Sequence, residues 1–329
     1  MCGRGAGQSA GASRREAGYL TNEELYRLEE RPEHLVVLGG RFVALENAQA
    51  FARLGARVTV LQRSDRVLPD EAADLTDALT GYLLDEGVAV RTGVAVRSVR
   101  REGGAVVVEA AVGGREEAFR GSHLFLATGR RGNTEGLGLD ALGIGTDRCG
   151  CVVVDETLRT AVPTVFGAGD VIGGETFVYT AAYEGALAAR NALQGLYAER
   201  DYAPLPWVVF TDPQVAGVGL DERQAAEVGI DADVATLPLE EVPRALAARD
   251  TRGFIRLVRD RATDRIVGAR VLAPEGAELL MEVALAVKFG LTATALTELF
   301  HPYLTLSEGV KLAALAFTKD VKKLSCCAA

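Results

Sequence analysis

The run His34-Leu35-Val36-Val37-Leu38-Gly39-Gly40 constrains the fold of this chain most, because four consecutive apolar residues lead directly into a pair of glycines. An apolar run without alternation marks a strand covered on both faces, as in a parallel sheet. From Phe42 to Leu54 the apolar residues recur at helical spacing until Gly55 stops the helix, and Arg57 to Leu61 reads as a second strand. Strand, glycine turn, helix and strand together form the opening unit of a doubly wound nucleotide-binding domain. The turn Gly39-Gly40-Arg41-Phe42-Val43-Ala44 meets the dinucleotide fingerprint in part. Gly39 suits the tight turn and Ala44 the helix packing, but Arg41 occupies the place of the glycine that lets backbone approach a pyrophosphate. The competing reading is a strand-to-helix turn with no ligand.

At the end of the second strand, Gln62 stands where an acidic residue would hold a ribose hydroxyl pair, with Arg63 next and Arg66 nearby. Guanidinium groups there suit a 2′-phosphate, which favours NADPH over NADH, although Arg63 as a solvated surface charge is an alternative. A helix over about 72–86 and strands near 88–90, 98–100, 105–110 and 124–127 complete the first domain. A segment from Cys151 to about Gly195 follows, with a strand over Val152-Val153-Val154, the turn Gly167-Ala168-Gly169-Asp170 and a helix through 181–193. Pro204 and Pro206 mark a boundary. Beyond it, strands around 254–258 and 266–272 and helices near 277–289 and 306–317 indicate an α+β domain.

With 329 residues, of which 48% are hydrophobic and 25% charged, the composition is that of a soluble two-domain protein. A net charge of −9 argues against nucleic acid or an anionic membrane as partner, and no apolar run is long enough to span a bilayer. Five cysteines without framework spacing suit a reducing, cytoplasmic setting. Cys326 and Cys327 stand side by side two residues from the end of the chain. Two adjacent thiolates suit a soft metal ion or an electron relay; an inert tail and a C-a-a-X lipidation signal are the competing readings. Cys149 and Cys151 lack the further ligands of a structural metal site and read as incidental.

Several stretches together carry a resemblance. Ala127-Thr128-Gly129-Arg130, Thr164-Val165-Phe166-Gly167-Ala168-Gly169-Asp170, Phe177-Val178-Tyr179, Val209-Phe210-Thr211-Asp212-Pro213 and Pro302-Tyr303-Leu304-Thr305 occur in this order, followed by Phe317-Thr318-Lys319-Asp320 running toward the terminal cysteines. The chain resembles the pyridine nucleotide-disulfide oxidoreductases, and among them the Hg(II)-reducing members, from about residue 18 to its end. The resemblance implies an α/β doubly wound NAD(P) domain over 19–146, a closing part of an FAD domain over 147–203 and an α+β dimerisation domain over 204–329, with residues 1–18 unfolded or extraneous. It places Gly39, Gly40, Ala44, Glu46, Arg63 and Arg66 at NADPH, with Glu46 near the nicotinamide. Gly129, Gly169 and Asp170 fall at the cofactors, Asp170 on the ribityl chain of FAD.

Disulfide reductases of this family present a His-Pro-Thr with a following Glu, where the His exchanges protons with a thiol. Here Tyr303 stands in the histidine's place ahead of Glu308, and His301 is one register off, expected at a helix edge or the surface. The resemblance implies that Tyr303, Cys326 and Cys327 bind Hg(II), that small thiols deliver the ion, and that the chain forms a homodimer. It also implies a first FAD-binding strand and a Cys-x4-Cys pair that this sequence does not contain, so a truncated form is expected. A thiol-disulfide reductase and a non-catalytic NADP-binding, dimerising remnant are the alternatives.

Overall fold

The structure, a computed structural model, describes residues 17–323. Strand β1 (His34–Leu38), helix α1 (Phe42–Arg53), β2 (Arg57–Leu61), α2 (Ala73–Asp85) and β3 (Ala89–Arg91) follow one another, each helix connecting two parallel strands. The antiparallel strands β4 (Val94–Glu102), β5 (Ala105–Val112) and β6 (Arg115–Gly121) come next, and β7 (His123–Leu126) returns to the parallel sheet in the order β3-β2-β1-β7. β1 therefore lies between β2 and β7, with Leu38 paired to Leu61 on one side and Leu126 on the other. Residues of β1 alternate between two cores. Leu35 and Val37 pack with Ala44, Leu45 and Leu79 of the helices, while Val36 and Leu38 pack with Val99, Val106 and Val108 of the antiparallel sheet. Burial on both faces explains the unbroken apolar run.

The chain divides into two compact units. One comprises described residues 17–127 and 203–323, the other 128–202. The second unit contains α3 (Val178–Gln194) and a 3-10 turn over Gly169–Ile172. In the first unit, β8 (Pro206–Val209), β9 (Gln214–Gly219), α4 (Glu222–Glu227), β10 (Ala232–Pro238), α5 (Pro243–Ala248), β11 (Phe254–Asp260) and β12 (Ile266–Ala273) follow the parallel sheet's elements. Their strands form one antiparallel sheet in the order β10-β11-β12-β9-β8. Against it pack α6 (Leu280–Phe289), α7 (Ala293–Glu298) and α8 (Glu308–Leu315), through Val271, Val283, Ala286, Leu296 and Val310 among others.

The two modules of the first unit share packed surface. Val209, Val215 and Leu272 belong to the same core as Leu35 and Phe125, and the rings of Phe42 and Trp207 lie 5.5 Å apart. Arg270, 2% exposed, reaches Glu71 of the nucleotide-type module at 2.6 Å, Gln224 at 3.0 Å and the face of Trp207 at 5.4 Å. At the surface nearby, Arg256 pairs with Asp74.

Several sequence expectations are corrected. Val152 forms only an isolated bridge to Thr146 rather than opening a strand, and Val153 is exposed, so that apolar triplet is not a sheet core. β4 runs to nine residues instead of three, and β6, whose sequence Arg115-Glu116-Glu117-Ala118 is solvated, was not anticipated. Residues 1–16 lie outside the described residues; Ala17 is buried, and Leu20 bonds both sides of Phe125.

The entry into α1 admits no side chain at its first glycine. Gly39 has φ +124, and a Cβ there would sit 2.3 Å from the carbonyl oxygen of Ala127. Gly39→Ala should therefore destabilise the chain by about 3 kcal/mol or more, because strain and overpacking add. Chemical denaturation measures it; a change below about 1 kcal/mol would show that β1 and β7 can part without cost.

Candidate functional site

The glycine turn is wedged between strands. Gly39 donates its N–H to Leu61 (3.0 Å), and Ala127 donates to Leu38 (2.9 Å), so backbone from β2 and β7 holds both sides. A Cβ on Gly40 would meet the side chain of Gln62 at 3.0 Å, and Ala44 is fully buried beneath α1. Gln62 is itself buried, so the end of β2 carries no carboxylate and presents exposed Arg63 instead. Arg66 is partly exposed, with Asp65 3.8 Å away. α1 has Arg41 as its N-cap, which makes no side-chain cap hydrogen bond, and the positive end of the helix dipole lies at this turn. A positive helix end, a turn without Cβ atoms and two guanidinium groups after β2 suit an anionic ligand with two separated phosphates.

One turn further along α1, Glu46 accepts the N–H of Phe210 at 2.9 Å. Burial pushes its carboxyl above the usual carboxylate range, and the Phe210 hydrogen bond pulls back only in part. Gln49 donates to the Asp212 carbonyl and accepts its N–H, both at 2.8 Å. Arg53 bonds Asp212 at 2.8 Å and Glu86 at 2.6 Å, while Arg252 holds the other oxygen of Asp212 at 2.8 Å. The segment 210–212 is thus gripped by residues 46, 49 and 53, which share one face of α1. Sequence reasoning missed this grip; the spacing of three polar residues along one helix face was the available signal.

In the other unit, Gly169 (φ +76) donates its N–H at 2.5 Å to Glu184, a fully buried carboxylate that also accepts the hydroxyl of Tyr202. Glu184, absent from the sequence-based candidates, thereby fixes the turn that presents Asp170. The Asp170 carboxylate pairs with Arg130 at 2.5 Å, and both side chains are half exposed. Gly129 has φ +132 with open space where a Cβ would project. α3 begins without a side-chain cap, and the hydroxyl of Thr180 in its first turn is buried without a partner. These groups fit a ligand that brings hydrogen-bonding atoms of its own.

Tyr303 is 57% exposed and precedes Leu304, which adopts the left-handed conformation (φ +62). Leu304, Thr305 and Ser307 line an open cavity of about 590 Å³ with Arg244, Asp250 and Glu275. Glu308 opens α8, receives support through its N–H to Thr305 Oγ1 (3.2 Å), and has one carboxylate oxygen buried without a hydrogen-bond partner. His301 does not project into solvent: its side chain is 6% exposed and bonds Glu282 of α6 at 2.9 Å, although its neighbours Leu299 and Phe300 are exposed. Cys326 and Cys327 lie outside the described residues. Cys149 is disulfide-bonded, whereas Cys151 is a buried free thiol raised by burial and then by Asp147. Among the described residues no group of three or more His, Cys, Asp or Glu side chains could hold a metal.

Residues 8–185 match the family described as pyridine nucleotide-disulphide oxidoreductase, and residues 205–314 match its dimerisation domain. The mercuric reductase of Streptomyces lividans is 45% identical over 313 residues, covering 95% of this chain and 66% of its own length. That of Bacillus cereus is 42% identical over 313 residues, covering 95% of this chain and 50% of its own. Among solved structures, LpdA from Mycobacterium tuberculosis superposes with a TM-score of 0.83 at 32% identity, over 90% of this chain and 64% of that one. The flavoprotein disulfide reductase RclA from Escherichia coli, as its Cu(II) complex, gives 0.79 at 31% identity, over 89% of this chain and 67% of its own. The chain spans between half and two thirds of the length of these curated relatives.

The raised carboxyl of Glu46 yields a pH test. A carboxyl whose folded pKa lies above its unfolded value, about 4.3, binds its proton more tightly when folded, so its contribution to stability is lost as pH rises through the folded value. Glu46→Gln keeps an acceptor for Phe210 and has no charge to desolvate. The stability of the variant relative to the parent should therefore rise between pH 4 and pH 7, measured by denaturation at each pH; a constant difference would show that burial does not penalise this charge.

Proposed function

The chain belongs to the pyridine nucleotide-disulphide oxidoreductase family, and we propose that it serves the reduction of Hg(II) to elemental mercury by NADPH through FAD. The observation that carries this reading is identity of 39–45% over 94–95% of the chain to curated mercuric reductases from several bacteria. The substitution of Tyr303 for the proton-exchanging histidine supports it: two-electron reduction of a thiolate-bound metal ion needs ligands rather than an imidazole acid. We take 19–146 as the NADPH domain, 147–203 as the closing part of an FAD domain and 204–329 as the dimerisation domain.

The residues present fit both cofactors. Gly39, Gly40 and Ala44 would hold the dinucleotide with its pyrophosphate at the start of α1, and Arg63 and Arg66 would read the 2′-phosphate. Glu46, fixed by Phe210, would stand at the nicotinamide. Gly129, Gly169 and Asp170 would serve the flavin, with Arg130 releasing Asp170 and the Thr180 hydroxyl gaining a partner. Bound FAD supplies the carrier that takes a hydride equivalent and returns two electrons to the metal. Cys326 and Cys327 would take Hg(II) from small thiols by stepwise ligand exchange and pass it toward Tyr303 in a homodimer, with Glu308 holding the tyrosine segment in place. No helix among the described residues is long and apolar enough to cross a membrane.

Titration of the purified chain with Hg(II) against a thiol buffer tests the metal assignment. One Hg(II) per chain should bind tightly and be lost in Cys326→Ala/Cys327→Ala but kept in Cys149→Ala/Cys151→Ala. The reverse pattern would remove the tail from the mechanism.

A further inference from the structure

Arg41 sits where the fingerprint calls for a glycine, yet its side chain is not idle. It forms an ion pair with Asp70 at 2.5 Å, in which both side chains are about half exposed. We propose that Arg41 is a pyrophosphate-binding residue held in reserve by Asp70: the carboxylate occupies the guanidinium until a nicotinamide dinucleotide arrives, and the pyrophosphate then takes its place. This rests on the reading that the glycine turn binds such a dinucleotide.

Three features support the exchange. Arg41 is the N-cap of a twelve-residue helix and makes no side-chain cap bond to it, so an anion drawn to the positive end of that helix would lie beside Arg41. A guanidinium matches phosphate oxygens with two parallel hydrogen bonds, whereas a half-exposed carboxylate pair is held weakly. The loop carrying Asp70 is anchored independently of Arg41. Leu68, buried and left-handed at φ 42, donates its N–H to Gly40 at 2.9 Å, and Arg223 reaches the Asp70 carbonyl at 3.4 Å. Asp70 can thus release Arg41 without the loop moving; Arg223, itself paired with Glu227 at 2.6 Å, touches only the Asp70 carbonyl.

The pyrophosphate is common to NADH and NADPH, which separates Arg41 from the 2′-phosphate contacts. Dissociation constants of both dinucleotides should be measured calorimetrically for the parent 329-residue chain and its variants. Arg41→Ala is expected to weaken NADH and NADPH by the same factor, about tenfold, because one charge-assisted bidentate contact is lost. Asp70→Asn should tighten both about threefold by freeing the guanidinium, and the double variant should behave as Arg41→Ala alone. Arg63→Glu, by contrast, should weaken NADPH only. Arg41→Lys keeps a charge and should fall between parent and Arg41→Ala, which guards against a folding defect. Unchanged or tighter binding in Arg41→Ala would overturn the proposal, since Arg41 would then be a bystander or an obstruction. A parent chain that binds neither dinucleotide would instead overturn the reading of the glycine turn, and the role of Arg41 with it.

Discussion

A buried guanidinium is the most deeply placed of the polar links that join the two modules of the larger unit. Arg270 extends from β12 to Glu71 beyond β2, against Trp207 and among the carbonyls of Val218, Gly219 and Ala269. Such a pair adds little net stability, since desolvation offsets attraction, but removing one partner strands a charge and costs about 3–5 kcal/mol. Its consequence is therefore geometric. The module of β8 to β12 cannot slide on the nucleotide-type module without exposing or orphaning Arg270, and the relation between α1 and the 210–212 segment is fixed with it.

That relation bears on chemistry. Glu46 obtains a backbone donor from a residue 164 positions away, and Asp212 is held by arginines from both modules. A carboxylate proposed to stand near a nicotinamide is thus set by the second module rather than by its own helix. In a homodimeric Hg(II) reductase this arrangement would tie the hydride donor's surroundings to the module that bears Tyr303 and the terminal thiols. The catalytic distances would then be set by packing between modules instead of by loops.

Much of this was legible in local sequence pattern. The parallel strand β1, the glycine turn and α1 were evident because burial on both faces leaves an unbroken apolar run and glycine is forced where backbone meets backbone. The polar edge strand β6 carries no apolar pattern, since its outward residues are solvated. The triplet Val152-Val153-Val154 has strand composition but forms one bridge only, because β-propensity counts only where neighbouring strands are available. At the candidate site, residue types pointed to Gly39 and Arg63, and the family resemblance to Asp170. The partners of other site residues, Phe210 for Glu46, Glu184 for Gly169 and Glu282 for His301, are brought by tertiary folding, and only the helix-face spacing of residues 46, 49 and 53 hints at the first of them.

The central claim is that the two modules of the larger unit form one cooperative structure that positions the site. Native-state hydrogen exchange under rising denaturant tests it most directly, with amides of β1, β2 and β7 compared with those of β9, β11 and β12. The account predicts that both groups lose protection together, with the same free energy and denaturant dependence, and that Arg270→Ala separates them. Independent opening of the two groups in the parent chain would contradict it.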